Sequence, residues 1–178
     1  MELAEATRHA DHAIGVLAPY CERIEVAGSV RRKAPTVGDI EIVCIPKSSP
    51  VVNLFGECES EVRDWRFGAG VDALGSKVRG DAHHGKAFCR LSDDGILFDI
   101  FTATPENWGY IFAIRTGSAA FSRFVLATGW NKAGYTGVDG RLVRDPEDPE
   151  GSAVVVREEK DLFDLIGLDF VAPERRTA

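Results

Sequence analysis

The apolar positions near the N-terminus follow a helical spacing, and those further along the chain alternate with polar ones. Six of the first group share one helix face: Leu3, Ala6, Ala10, Ala13, Ile14 and Leu17. This spacing predicts a helix over residues 3–20, which Pro19 brings to an end. Alternation predicts a short strand over residues 23–27 and a longer one over 39–46, with a glycine-containing turn between them.

The middle of the chain shows no clear period at first and then a strong hairpin signal. Between residues 51 and 75 we predict helical segments around Val52–Leu54 and Val62–Phe67. Two alternating apolar runs, residues 87–91 and 96–101, flank an Asp-Gly turn. This arrangement predicts a β-hairpin.

The C-terminal part of the chain is predicted to begin after a junction near residues 102–106. Helical spacing covers residues 108–129 with a break at a Thr-Gly-Ser sequence, and a last short helix is predicted over 160–166. Shorter β segments and turns are predicted between them. We therefore divide the chain into a domain of residues 1–104 and a domain of residues 105–178.

Two carboxylates occupy alternate positions of the predicted strand 39–46. Because side chains alternate faces on a strand, Asp39 and Glu41 project the same way while Ile40 points into a core. Two acids on one face repel each other unless a cation lies between them, and a divalent ion with oxygen ligands meets that need.

A third acid, Asp99, lies in the middle of an apolar strand, where an unpaired carboxylate is costly to bury. Two explanations remain open. Either a nearby arginine or an exposed sheet edge accommodates Asp99, or its strand lies beside Asp39 and Glu41 and completes a site of three carboxylates. The glycine-serine turn upstream favours the second explanation.

The turn Gly28-Ser29 precedes a basic run, residues 31–33. The Ser29 hydroxyl and the neighbouring amides can donate to phosphate oxygens, and Arg32 can add a bidentate contact. A solvated basic turn is the structural alternative. The neighbouring pair His83-His84 is better explained as a solvated loop than as a metal site, because adjacent side chains rarely converge on one ion.

Composition is that of an ordinary globular protein, with 44% hydrophobic and 28% charged residues in a chain of 178. The net charge of −7 argues against a simple nucleic-acid binder. However, residues 1–20 hold 3 acidic and 1 basic residue and residues 145–178 hold 10 and 4, so the acidic excess lies at the two ends and a basic groove in the middle is compatible with the sequence. The four cysteines form no C-x-x-C pair, which favours reduced thiols and a cytoplasmic location.

Several motifs together resemble the DNA polymerase X family, the polymerase-beta-like nucleotidyltransferases, in a minimal palm-plus-thumb form. They are Gly28-Ser29-Val30-Arg31-Arg32, Gly38-Asp39-Ile40-Glu41, Phe98-Asp99-Ile100, Arg115-Thr116-Gly117-Ser118, residues 159–166 and Pro173-Glu174-Arg175. The resemblance implies an α+β fold: a nucleotidyltransferase palm, which is a mixed β-sheet flanked by helices, and a small C-terminal α/β thumb-like domain.

The resemblance also implies roles for individual residues. The catalytic, metal-binding acids would be Asp39, Glu41 and Asp99, holding two Mg²⁺ or Mn²⁺ ions. Nucleotide-binding positions would be Gly28, Ser29, Arg32, Gly38, Arg115, Thr116, Gly117 and Ser118. Arg123 would contact DNA, and Lys77 and Arg79, which precede the hairpin, are predicted from their position to do the same. Glu41 and Arg115 depart from the family, which has Asp and an aromatic residue there.

These roles predict a DNA-directed DNA polymerase that adds dNMP to a primer 3′-OH, in short-gap DNA repair synthesis. We expect a monomer that acts on gapped or primed DNA and a dNTP and that binds no membrane. One alternative is a nucleotidyltransferase acting on a small molecule, an RNA end or a protein, which the net charge favours. The other is a non-catalytic DNA-end-binding module.

Overall fold

A computed structural model describes residues 1–55 and 57–177. Its helices are α1 (Leu3–Leu17), α2 (Gly28–Arg31), α3 (Trp65–Ala73), α4 (Trp108–Thr116), α5 (Thr128–Lys132) and α6 (Glu159–Leu165), with 3₁₀ turns at Ala18–Tyr20 and Pro173–Arg175 and a π-helical segment at Phe121–Ala127. Its strands are β1 (Cys21–Val26), β2 (Ile40–Pro46), β3 (Ser48–Val52), β4 (Cys58–Arg63), β5 (Ser76–Arg79), β6 (Ala87–Leu91), β7 (Leu97–Thr102), β8 (Thr136–Val138), β9 (Arg141–Val143) and β10 (Ala153–Val154).

The central element is a mixed five-stranded sheet with the strand order β1-β2-β7-β6-β5. β2 and β7 run parallel, whereas the other neighbours in this sheet are antiparallel. The predicted hairpin of residues 87–101 is confirmed as β6 and β7. With helices flanking the sheet, the predicted α+β class is also confirmed.

Each face of this sheet is covered by a helix that the sequence predicts. The small residues of α1 are buried over one face, against Ile40, Ile42 and Ile100. The opposite face, with Val43 and Phe101, packs against Trp108 and Phe112 of α4. Strand alternation explains this division, because successive residues of β2 and β7 point to opposite sides.

A further core lies in the C-terminal part, beside the three-stranded sheet β10-β9-β8. Tyr110 and Ala113 of α4 pack there with Leu162 and Phe163 of α6. Helix α4 thus contributes to two cores, on either side of the predicted boundary at residue 104. That boundary stays a prediction.

The helical segment predicted around Val52–Leu54 is wrong, and the one predicted around Val62–Phe67 is helical only from Trp65. β3 and β4 form an antiparallel hairpin there, and helix α3 begins only at Trp65. β4 is exposed along nearly its whole length, so no buried face imposes a period on its sequence. Asn53 instead fixes the turn, since its Oδ1 accepts hydrogen bonds from the amides of Phe55 and Glu57 at 2.9 and 3.0 Å.

Other details agree with the sequence more closely. The strand predicted from Asp39 begins at Ile40, so Asp39 immediately precedes it. All four cysteines are free thiols. Among the helices of residues 1–55 and 57–177, none combines the length and the apolar character that crossing a bilayer requires.

Candidate active site

The parallel pairing of β2 with β7 places Glu41 directly beside Asp99. Asp39 precedes β2 by one residue, and alternation carries its side chain to the same face as Glu41. Ile40 and Ile42 are fully buried on the other face. The acids therefore lie on the α4 side of the sheet, where the two parallel strands begin.

The negative charges of these acids act on one another. Burial and the charge of Asp39 raise the pKa of Glu41 to about 7, although Arg115 and Arg32 act in the opposite direction. Burial and the charge of Asp99 raise the pKa of Asp39. Asp39 and Glu41 are therefore harder to ionise in these surroundings, and a cation beside them would relieve the repulsion.

Asp99 also has a cationic partner within the chain. Arg79 at the end of β5 donates to its Oδ1 at 3.1 Å, which is the ion pair expected under the first explanation of this residue. With the side chains so arranged, residues 1–55 and 57–177 contain no cluster of three His, Cys, Asp or Glu that could hold a metal ion. The donors still fit Mg²⁺ or Mn²⁺ chemically, because they are carboxylate oxygens that repel each other without a cation.

The Gly28-Ser29 turn, which opens α2, faces these acids. Gly28 has a φ of +57°, and a Cβ added there would lie 2.0 Å from Glu41 Oε2. Only glycine combines that backbone conformation with so close an approach. The next residue offers an unused donor, since Ser29 Oγ is buried and no described residue bonds to it.

The three basic residues after this turn have different environments, so a uniformly solvated turn is wrong. Arg32 Nη1 donates to the backbone carbonyl of Thr116 at 2.7 Å, while its Nε is buried and has no partner among the described residues. Arg31 donates to the Thr116 hydroxyl at 2.6 Å and to both oxygens of Glu159. Only Lys33 is largely exposed, in an ion pair with Glu174.

Glu159 is the centre of a buried ionic network that sequence reasoning missed. Besides Arg31, it accepts a hydrogen bond from Arg176, whose side chain is fully buried. Although burial opposes ionisation, the hydrogen bonds from Arg31 and Arg176 hold the pKa of Glu159 below its ordinary value. The family-like motifs include Glu159 and the exposed Arg175, but nothing in them indicates that Arg176 pairs with Glu159.

Several of the remaining predicted residues lie at the start of the second half of the chain. The guanidinium of Arg115 stacks 3.7 Å from the centre of the Phe101 ring, on the face that carries the acids. Gly117 is tightly packed, since an added Cβ would lie 2.7 Å from Ser122 Oγ. Ser118 Oγ accepts from the amide of Phe121 at 3.0 Å.

Three predicted positions are open to solvent and take no part in these contacts: Gly38, Lys77 and Arg123. Gly38 adjoins Asp39 in sequence, and Lys77 lies on β5, two residues before Arg79. Arg123 lies in the π-helical segment beside Phe124. The structure thus brings Arg79, but neither Lys77 nor Arg123, into contact with a predicted metal ligand.

Comparison with solved structures identifies the architecture. The chain resembles Leishmania infantum polymerase beta in a ternary P/T complex with a TM-score of 0.73 and 17% identity, over 99% of this chain and 76% of the other. The same enzyme in a ternary gap complex gives a TM-score of 0.75 and 17% identity, over 99% of this chain and 70% of the other. The chain has the polymerase beta fold. No protein-family model and no curated protein matches the sequence.

The polymerase beta fold extends over both halves of the chain. It includes the sheet that carries Asp39, Glu41 and Asp99 as well as helices α4 and α6, which hold Thr116 and Glu159. At this level of identity the likeness concerns the path of the chain. The chemistry of the site depends on its own side chains.

Proposed function

We propose that this chain is a nucleotidyltransferase of the polymerase X type, which adds dNMP to a primer 3′-OH during short-gap DNA synthesis. The observation that carries the proposal is the pairing of Glu41 with Asp99 across β2 and β7, with Asp39 one residue before β2. Acids that face one way on adjacent parallel strands, next to a turn with unused donors, are suited to phosphoryl chemistry.

In this proposal Asp39, Glu41 and Asp99 hold two Mg²⁺ or Mn²⁺ ions. When bound, such ions lower the pKa of an attacking hydroxyl and neutralise the charge of a triphosphate. Asp99 contributes on the side of the primer hydroxyl. Its Oδ1 accepts from Arg79, and its Oδ2 has no hydrogen bond from a described residue and could bind an ion.

The Gly28-Ser29 turn, which opens α2, binds the triphosphate in the same proposal, together with Arg32. The Ser29 hydroxyl and the Arg32 Nε are buried donors without a described partner, and phosphate oxygens would accept from both. Gly28, before Ser29, and Gly38, before Asp39, place no side chain in the way of the triphosphate. Because Arg32 is anchored to the Thr116 carbonyl, the orientation of its guanidinium is fixed before the nucleotide arrives.

Primer extension on gapped DNA tests the proposal. Asp99→Ala should lower extension about a hundredfold or more, because the ions contribute several kcal/mol of transition-state stabilisation. Asp93→Ala, in the exposed β6–β7 turn, is the matched control and should extend the primer like the unaltered protein. Equal extension by Asp99→Ala and the unaltered protein would refute the assignment.

The acceptor is tested separately with labelled nucleotide, in the presence and absence of gapped DNA. Incorporation only when DNA is present supports the polymerase proposal. Incorporation into a small molecule, an RNA end or a protein instead of DNA would contradict it while leaving the nucleotidyl-transfer chemistry in place.

A further inference from the structure

A cavity of about 410 Å³ lies at the far end of the parallel strands from the acids. Its lining includes Pro46 at the end of β2, Thr102 at the end of β7 and the turn between β8 and β9. Five residues of strand separate Glu41 from Pro46, a distance of roughly 16 Å. Asp39, Glu41, Asp99, Ser29 and Arg32 do not line this cavity. The cavity is therefore distinct from the proposed triphosphate turn, and Arg115 is the predicted nucleotide-binding residue that lines it.

The charge of the lining is strongly positive. Arg63, Lys86, Arg115 and Arg141 line the cavity, against a single acid, Asp139. Four positive groups and one negative group give a formal charge of +3. Arg141 lies 3.7 Å from Glu150, but that carboxylate is 87% exposed and is screened by solvent.

Two of these cations, Arg63 and Arg115, are partly buried and make no short ion pair, although the charges of Glu41 and Asp99 act on Arg115. Within the part of the chain that the structure describes, neither Arg63 nor Arg115 has an acidic oxygen within 4.0 Å. Burial lowers the pKa of both guanidinium groups. One bond, from Arg63 Nη1 to the Ala82 carbonyl, leaves most of the donors of that fork free.

The cavity wall is held in place by two side chains that lie immediately before α4 and before β6. Asn107 Nδ2 donates to the Gly140 carbonyl at 2.9 Å, and Lys86 Nζ donates to the Asp139 carbonyl at 3.3 Å. These contacts fix the β8–β9 turn over the opening. Phe101 and Ile111 supply an apolar part of the lining.

We propose that this cavity binds a phosphate-bearing ligand through Arg63, Lys86 and Arg141. Guanidinium groups bind phosphate oxygens bidentately. A positively charged cavity of this volume is also large enough for an anion bigger than chloride. The phosphate could be free, as in pyrophosphate, or part of a DNA strand. Binding at this site does not depend on nucleotidyl transfer.

Calorimetry with pyrophosphate in EDTA tests the site, because chelation removes any contribution of a bound divalent ion. The background is Arg32→Gln, which removes the proposed triphosphate contact. In that background we expect pyrophosphate binding to persist and to weaken about tenfold with Lys86→Gln and again with Arg141→Gln. Both of these side chains are exposed, so folding should be preserved. Arg63→Gln should have a similar effect, and Arg8→Gln, on the exposed side of α1, is the control.

A short DNA duplex titrated into the same variants distinguishes the two sources of phosphate. Weakened binding of pyrophosphate alone identifies a free ligand, and weakened binding of the duplex identifies a strand phosphate; either supports the site. The proposal is overturned if Lys86→Gln with Arg141→Gln binds both probes as tightly as the background does. It is also overturned if two results occur together: Arg32→Gln alone abolishes pyrophosphate binding, and the changes at Arg63, Lys86 and Arg141 leave the affinity for the duplex unaltered.

Discussion

Glu41 is the residue whose chemistry is most constrained by its surroundings. It is held between Gly28, Asp39 and Asp99, and burial with the charge of Asp39 raises its pKa to about 7. The unfolded chain ionises the same carboxyl near its ordinary value of 4.5. Between these two values the folded protein holds a proton that the unfolded chain has released, so stability falls as pH rises through this window.

Glu41→Gln should remove this pH dependence, because the amide keeps the shape of the protonated acid. We expect the variant to be more stable than the unaltered protein by about 1–3 kcal/mol at pH 8, with an advantage that shrinks towards pH 5. Urea unfolding at both pH values measures the difference. Glu22→Gln, an exposed change, should unfold like the unaltered protein at each of the two pH values. An advantage for Glu41→Gln that is equal at pH 5 and pH 8 would contradict the prediction.

For a single residue, the sequence predicts the strand face on which the side chain lies but not the residues that it contacts. The common direction of Asp39 and Glu41 follows from alternation, a property of neighbouring residues. The ion pair of Asp99 with Arg79 depends on the order of β5, β6 and β7 in the sheet, which alternation does not specify. Likewise, nothing local in the sequence shows that Arg31 meets Glu159, 128 residues away.

The Gly28-Ser29 turn, which opens α2, is the element on which the proposed site most depends. Gly28 has a φ of +57°, and Glu41 Oε2 would lie only 2.0 Å from a Cβ there. Gly28→Ala must therefore strain the backbone and displace Glu41. We expect a loss of about 1–3 kcal/mol in the free energy of unfolding, measured with urea.

Gly15→Ala is the matched control for this change. Gly15 lies in α1, and nothing lies within 4 Å of an added Cβ. Alanine should stabilise that helix by about 0.5–1 kcal/mol, the opposite sign. A Gly28→Ala variant as stable as the unaltered protein would show that the turn can relax and that its glycine is dispensable.

Elements were predictable where the sequence shows a period or a recognisable turn. α1 has one buried face, acids alternate with buried isoleucines at the start of β2, and an Asp-Gly turn marks the β6–β7 hairpin. The described side chains of β3 and β4 are mostly exposed, and Leu54 is fully exposed beside their turn. Burial therefore imposes no period on this sequence, and the side-chain turn at Asn53 is a local signal for the hairpin.

At the scale of the whole molecule, the two halves of the chain are joined by helix α4 and by the Glu159 network. α4 packs on the sheet through Trp108 and Phe112 and on the C-terminal core through Tyr110. The network joins Arg31 of α2 to Glu159 of α6 and to Arg176 near the C-terminus. The order of motifs along the chain predicted the overall fold, but the contacts between distant motifs required coordinates.

Glu159→Gln should uncouple this junction. Arg31 and the fully buried Arg176 would keep their charges and lose the carboxylate that compensates them, and breaking one side of a buried ion pair costs about 3 kcal/mol or more. Urea unfolding at pH 7 measures the loss. Because the folded-state pKa of Glu159 is depressed, the difference should shrink as pH falls below 4.5 and the carboxyl becomes protonated. On the same helix, Asp164 pairs with Lys160 in solvent, so Asp164→Asn should change stability by less than about 0.5 kcal/mol. If the two variants prove equally stable, then the cores around α4, and not the network, hold the halves together.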